Sequence, residues 1–297
     1  MNSNRHFDRR YFRAGFVIFA FVFAAIFSGE ANAQLFKFGK KKASIPVVFN
    51  RTPTQAELIR HITNNNAKFR QLSSDLRVSL DGTPKLRGTM QLELPRRLRI
   101  KAGVMGLSGV DVGSNDQDFW VWTKVNLPNQ KPAIFHASHE GFRNAQSSVR
   151  QAIPLEPVWL LEGFGLIQFE QGDRHEGPIV TPEGYLKMLT IRETARGRNF
   201  RTILVHPQHG TVLQQAVNDG QRKLLAYTDS MDYRYFPQQG TALPEKVETH
   251  LFQNGQQAKM VIEVSGVEFD SLYGDPNQMW AMPRPQGVKA INLLNLR

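Results

Sequence analysis

Between Leu76 and Trp122 the chain alternates apolar and polar residues with period two. Leu76, Val78 and Leu80 interleave with Asp75, Arg77 and Ser79, and Asp81-Gly82-Thr83-Pro84 supplies a turn. Leu86, Met90, Leu92 and Leu94 then take one parity, with Arg87, Thr89, Gln91 and Glu93 on the other. Beyond Pro95, Leu98 and Ile100 alternate with Arg97, Arg99 and Lys101. This pattern predicts an antiparallel meander with one apolar and one wet face. A one-residue slip would turn arginine and glutamate onto the apolar layer, so the register is strongly specified. Gly103, Gly106 and Gly109 space out Val104, Met105 and Leu107, which predicts either a bulged strand or an exposed apolar loop. In Phe119-Trp120-Val121-Trp122 both parities are apolar, as in a central strand covered on both sides.

Helix signals flank this meander. Thr54-Gln55-Ala56-Glu57 fits a capping box, and Ile59, Ile62 and Phe69 follow at roughly helical spacing, predicting an amphipathic helix buried on the sheet. Glu156 to Phe164 suits a second helix, with Pro157 in its first turn and Gly163 and Gly165 at its end. Gly172 to Glu183 reads as a polar loop. Strand signals occupy Ala133–Ser138, Tyr185–Glu193, Phe200–Val205, Val212–Val217, Leu224–Thr228, Met231–Phe236, Leu243–Phe252 and Ala258–Phe269. Val247, Thr249 and Leu251 share a face, as do Met260, Ile262 and Val264. Turn signals every eight to twelve or so residues point to a large antiparallel sheet or partial barrel. The predicted class is mainly β (α+β): an incomplete antiparallel β-barrel, or half-barrel, with an N-terminal amphipathic helix and covering helices.

Composition adds a compartment. Arg5, Arg9, Arg10 and Arg13 precede an uncharged apolar run from Ala14 to Phe27, and Ala31-Asn32-Ala33 is a small-x-small cleavage signature. The run is short for a membrane span. Residues 1–33 therefore read as a signal peptide for export to the periplasm; the alternative is an uncleaved inner-membrane anchor over residues 14–27. Residues 34–53, with Lys37, Lys40, Lys41 and Lys42, form a basic linker or a tract that touches an anionic membrane surface. Residues 54–275 form the half-barrel domain and 276–297 a C-terminal extension. The net charge of +11 falls only to +9 without residues 1–33, which hold four arginines and two acids. It serves solubility or attraction to anionic partners; export argues against nucleic acid. Cysteine is absent, which excludes disulfides, thiol catalysis and lipid attachment at a cysteine.

The sequence carries no catalytic constellation and points to no cofactor. His206 and His209 span a proline-containing turn, and His136 and His139 a strand end; neither pair predicts a metal site. A hydrolase would have to assemble Ser108, His136 and Asp116 from separate segments. A curved sheet that does not close leaves a concave apolar face able to hold acyl chains. Its candidate lining is Leu92, Leu94, Leu98, Ile100, Trp120, Trp122, Trp159, Phe164, Met260 and Ile262. Val104, Met105 and Leu107 are candidates for a membrane- or cargo-contact loop. The carrier is expected to be a monomer; the competing reading is a non-catalytic structural envelope protein whose barrel is filled by its own side chains.

Two segments carry a family resemblance. One joins Leu86-Arg87-Gly88-Thr89-Met90 to Pro95-Arg96-Arg97-Leu98-Arg99-Ile100 and Asp118-Phe119-Trp120-Val121-Trp122. The other runs from His206-Pro207-Gln208-His209-Gly210 through Asn218-Asp219-Gly220 and Tyr233-Arg234-Tyr235 to Leu243-Pro244 and Val261-Ile262-Glu263-Val264. In this order the chain resembles the bacterial periplasmic lipoprotein carriers of the LolA/LolB-like superfamily, of the outer-membrane lipoprotein-sorting type. The resemblance implies a half-barrel that shelters lipid or lipoprotein acyl chains under helical lids, without catalysis. The cysteine of a membrane-anchored LolB-like receptor is missing, and residues 139–181 are longer and more polar than a minimal carrier requires.

Overall fold

The computed structural model describes residues 43–80, 85–104, 107–123, 132–145, 158–194, 197–253 and 256–295. The export segment, the lysine tract and Met105 lie outside them, as do the turns at 81–84, 126–129 and 254–255. The chain opens with helix α1 (Gln55–Ala67), then β1 (Gln71–Leu80), β2 (Leu86–Glu93), β3 (Arg97–Val104), β4 (Leu107–Ser114), β5 (Asp118–Thr123) and β6 (Ala133–Ser138). Two short helices, α2 (His139–Arg143) and α3 (Val158–Gly163), precede β7 (Arg174–Val180), β8 (Leu186–Thr194), β9 (Gly197–Val205) and β10 (Val212–Asn218). The long strands β11 (Leu224–Phe236), β12 (Thr241–Gln253) and β13 (Gln256–Phe269) follow, then α4 (Pro276–Met279) and β14 (Lys289–Asn292).

All these strands join one sheet, ordered β14-β6-β5-β4-β3-β2-β1-β13-β12-β11-β10-β9-β8-β7. Every neighbouring pair is antiparallel except β14 with β6. The sheet is open, yet strongly curled. Helix α3 touches β3 and also β10 and β11. Six strand spacings separate β3 from β10 in the sheet order, about 29 Å if flat, whereas a helix is only about 10 Å across. Only a sheet wrapped around α3 brings both strands to it. Glu170 gives the same answer at the ends. Its Oε1 lies 3.3 Å from Arg143 of α2, just after β6, and 3.0 Å from Arg192 of β8. β6 and β8 are each second from an end, so this carboxylate ties the two ends of the sheet together.

The inner face carries the main core: Leu72, Leu76, Met90, Leu92, Leu98, Ile100, Met260 and Ile262 pack with Leu160, Leu161 and Phe164. Register explains why: Leu72 faces Leu92, Leu92 faces Leu98, Met90 faces Ile100, and Val78 faces Ile262. Helix α1 starts at the predicted capping box, with Thr54 Oγ1 accepting from Glu57 N–H and Glu57 accepting from Thr54 N–H. The hydrogen bond from Arg51 holds the Glu57 carboxyl down to about 2. The buried stripe of α1 is Leu58 and Ile62, packed on Leu186, Met188, Ile203 and Val205, with the predicted Ile59 partly buried against the same cluster.

Two elements differ from expectation. The predicted polar loop at 172–183 contains β7, an edge strand; it needs no apolar alternation, and Pro178 is tolerated there. Gln55 Nε2 donates to His175 O and Gly177 O at 3.0 and 2.9 Å, occupying carbonyls of that edge. The two strands expected over 224–236 are one: Asp232 takes φ 56°, yet the pairing with β12 keeps its register from Met231 to Tyr233.

The segment after 276 covers the outer face. Arg99 Nη1 donates to Met279 O and Ala281 O at 2.7 and 2.8 Å, and Arg99 Nη2 donates to Asp111 Oδ2 at 2.6 Å. The guanidinium lies over the Trp120 ring at 5.1 Å. Trp120 lies against Gly113, where a Cβ would come within 2.1 Å of the ring. Gly113→Ala is therefore expected to cost about 1–3 kcal/mol, read as a lower chemical-denaturation midpoint; an unchanged midpoint contradicts this packing. Burial lowers the pKa of His61 on α1, His175 on β7 and His206 in the β9–β10 turn. The folded state then binds fewer protons than the unfolded one, so stability falls as pH drops through the ordinary histidine value of about 6.5. Hydrogen exchange should show α1 less protected at about pH 5.5 than at about pH 7.5; equal protection would argue against it.

Candidate functional site: the covered inner face

A helix of six residues has no independent stability in water, so α3 exists through its contacts with the sheet. Leu160, Leu161 and Phe164 face the apolar bowl, while Trp159 packs separately with Ala226, Leu251 and Val217. Gly165 at φ 81° ends the helix in a Schellman arrangement, with Leu166 N–H on Leu161 O and Gly165 N–H on Glu162 O.

Polar contacts fasten this cover. Inward positions of β8 to β12 carry Thr190, Arg201, Gln215, Thr228, Ser230 and Thr249, all buried. Ser230 Oγ donates to Gly163 O at 2.7 Å and Gln215 Nε2 to Trp159 O at 3.4 Å. Arg201 Nη1 donates to Glu162 Oε1, and Nη2 to Gln168 O at 2.8 Å. Arg201 and Glu162 are 8% and 9% exposed, so this is a buried ion pair between sheet and cover. Beyond α3, Gln168 Nε2 reaches Pro95 O across the bowl. The fastening is incomplete: Gln215 Oε1, Trp159 Nε1 and Arg201 Nε are buried without hydrogen-bond partners, a deficit of about 1–3 kcal/mol for each such group.

The predicted lining divides. Leu92, Leu98, Ile100, Phe164, Met260 and Ile262 meet in the main core, with Leu94 packed at its margin. Trp159 belongs to the neighbouring small cluster. Trp120 and Trp122 do not share that surface. Val121 lies in register with Val112 and Ile100, whereas Trp120 is in register with Gly113 and Arg99 on the opposite face. There the two tryptophans pack with Ile134, Met282 and Val288. Strand β5 is indeed covered on both sides, but only Phe119 and Val121 point into the bowl. Val104 and Leu107 are the last pair of the β3–β4 hairpin, whose bulge falls between Ala102 and Gly103.

Exposed apolar side chains gather at the opposite end of the sheet. Ile179 and Val180 end β7 at 60% and 56% exposure, and Tyr185 sits in the following turn. Val47 and Val48, also exposed, lie at the same rim two strands away, where Val48 N–H bonds Gln208 O in the β9–β10 turn.

The hydrolase residues stay apart. Ser108 and Ser114 bound most of β4, about 20 Å of strand, and Asp116 lies beyond Ser114, paired with Arg97 at 2.6 Å. His136 is in register with Trp120, on the outer face. A different pair does meet: Ser114 Oγ lies 3.1 Å from His139 Nε2. That nitrogen is also 3.0 Å from Asn115 O. A proton donated to this carbonyl leaves Nε2 unable to take one from Ser114, and both residues are buried. Among the described residues no three His, Asp or Glu side chains converge as metal ligands, and no helix is long and apolar enough to cross a membrane.

No family model and no curated protein matches the chain. Solved structures do. A domain from Vibrio parahaemolyticus assigned to outer membrane lipoprotein sorting is 12% identical, with a TM-score of 0.52 over 75% of this chain and 94% of that one. A LolA superfamily protein from Nitrosomonas europaea is 12% identical with a TM-score of 0.43, over 75% of this chain and 97% of that one. A DUF1329 family protein from Desulfovibrio piger is 13% identical with a TM-score of 0.49, over 75% and 94%. At such identities the likeness is one of fold, and the first structure carries it: this chain, an open half-barrel, is similar in fold to that domain.

Glu162→Gln would leave the buried Arg201 facing a neutral amide and is expected to cost about 3–5 kcal/mol. Glu162→Leu combined with Arg201→Met should recover most of that loss. Denaturation of the three proteins tests this; equal stabilities would show that the pair does not hold α3.

Proposed function

We propose that this protein is an exported, periplasmic carrier that shelters the acyl chains of a lipid or lipoprotein against the inner face of its half-barrel. The observation carrying this reading is the cover itself. Between β3 and β11 the apolar face is closed by a six-residue helix that depends on a few polar contacts. Leu160, Leu161 and Phe164 together contribute about 5–9 kcal/mol of burial. An acyl chain of about fifteen methylenes contributes about 12 kcal/mol when buried, enough to displace them. The fold shared with a domain assigned to lipoprotein sorting supports the same class of cargo. The basic segment after the signal peptide, leading to Val47 and Val48, suits approach to an anionic membrane surface.

The second reading is a scaffold that carries nothing, and the near-complete burial of the inner face favours it. One experiment separates the two. Protein purified from the envelope is extracted with organic solvent for mass spectrometry, and the delipidated chain is titrated with a fluorescent acyl probe. The carrier should yield stoichiometric acyl lipid and bind the probe saturably. An empty extract and a flat titration would leave only the scaffold.

A further inference from the structure

The polar fastening of α3 restricts what can replace it. Arg201 is buried on the inner face, and both groups that accept from its guanidinium, Glu162 and the Gln168 carbonyl, belong to the cover. The surrounding charges are already committed. Asp173 takes Arg192 through both oxygens at 2.8 Å, and Glu170 is shared by Arg143 and Arg192. Among the described residues Glu162 is the one carboxylate hydrogen-bonded to Arg201. Lifting α3 withdraws Glu162 and leaves one buried positive charge without a counter-ion. A neutral acyl chain satisfies the apolar bowl but not that charge, and a buried guanidinium stripped of its partner is strongly unfavourable.

We infer that the ligand which displaces α3 is an amphiphile with an anionic head, whose carboxylate or phosphate takes the place of Glu162 on Arg201. This rests on the carrier reading and narrows it. Ser230 Oγ and Gln215 Nε2, released from the Gly163 and Trp159 carbonyls, lie on the same inward side of neighbouring strands. They become donors for ester or amide oxygens beside the head. The donors that hold the cover are the donors that read the cargo, so cover and cargo exclude one another. A long-chain fatty acid and an anionic phospholipid share this chemistry.

The test is competition against an acyl probe on the full-length protein, comparing palmitate with methyl palmitate and dipalmitoyl phosphatidate with dipalmitoylglycerol. The charged member of at least one pair should bind about tenfold more tightly or better; which pair discriminates more identifies the carboxylate or the phosphate as the head. Arg201→Gln should abolish the discrimination while still binding the neutral chain, and Arg201→Lys should retain part of it. Should Arg201→Gln fail to fold, the wild-type comparison alone still decides. Equal affinity within both pairs overturns the anionic-head inference and leaves the carrier reading standing. No binding of any of the four overturns both.

Discussion

A six-residue helix cannot persist by itself, and a fourteen-stranded sheet cannot curl this tightly around nothing; each condition is met by the other. Helix α3 is the axis on which the sheet bends, since it touches β3 and β10 together. The contact that fixes its position is the buried pair of Arg201 and Glu162, backed by Ser230 and Gln215. Apolar packing alone would let α3 slide along the bowl. Directional donors on β9, β10 and β11 specify one placement.

The sheet's two faces are closed by different means. Inside, between β3 and β11, the cover is short and joined to the sheet through polar atoms. Outside, the segment after 276 is pinned by Arg99 between Asp111 and the Met279 and Ala281 carbonyls, over a tryptophan that needs a glycine beneath it. Parallel pairing of β14 with β6 extends that hold. Helix α1 runs along a third boundary, from the β7 edge bonded by Gln55 to the β11–β12 turn, where Lys68 donates to Gly240 O at 2.7 Å.

Much of this was legible in the sequence because antiparallel strands with one wet face carry their geometry in their alternation. The shared parity of Met90, Leu92, Leu98 and Ile100, the shared face of Val247 and Ile262, the capping box at Thr54 and the helix ended by Gly165 all follow from local rules. The lining was only half legible. Alternation shows that Trp120 and Val121 face apart, but not which of them faces the bowl; that depends on where residues 279–288 return. Strand β7 was hidden because an edge needs no apolar parity. The polar fastening leaves one signal in the sequence: Arg201 sits on the inward parity of Ile203 and Val205, where an arginine requires a buried partner. Its partner Glu162 is 39 residues away, beyond the reach of any local pattern.

If, as proposed, acyl chains reach the inner face only when α3 leaves it, locking α3 in place must abolish binding. The chain has no cysteine, so a single engineered pair can test this. A Cβ at Gly163 would lie 3.2 Å from Thr228 Cγ2, which makes Gly163→Cys with Thr228→Cys a feasible cross-link. Acyl-probe binding should be lost when this disulfide forms and return on reduction, with both single variants indifferent to redox state. Undiminished binding by the oxidised double variant would contradict the account.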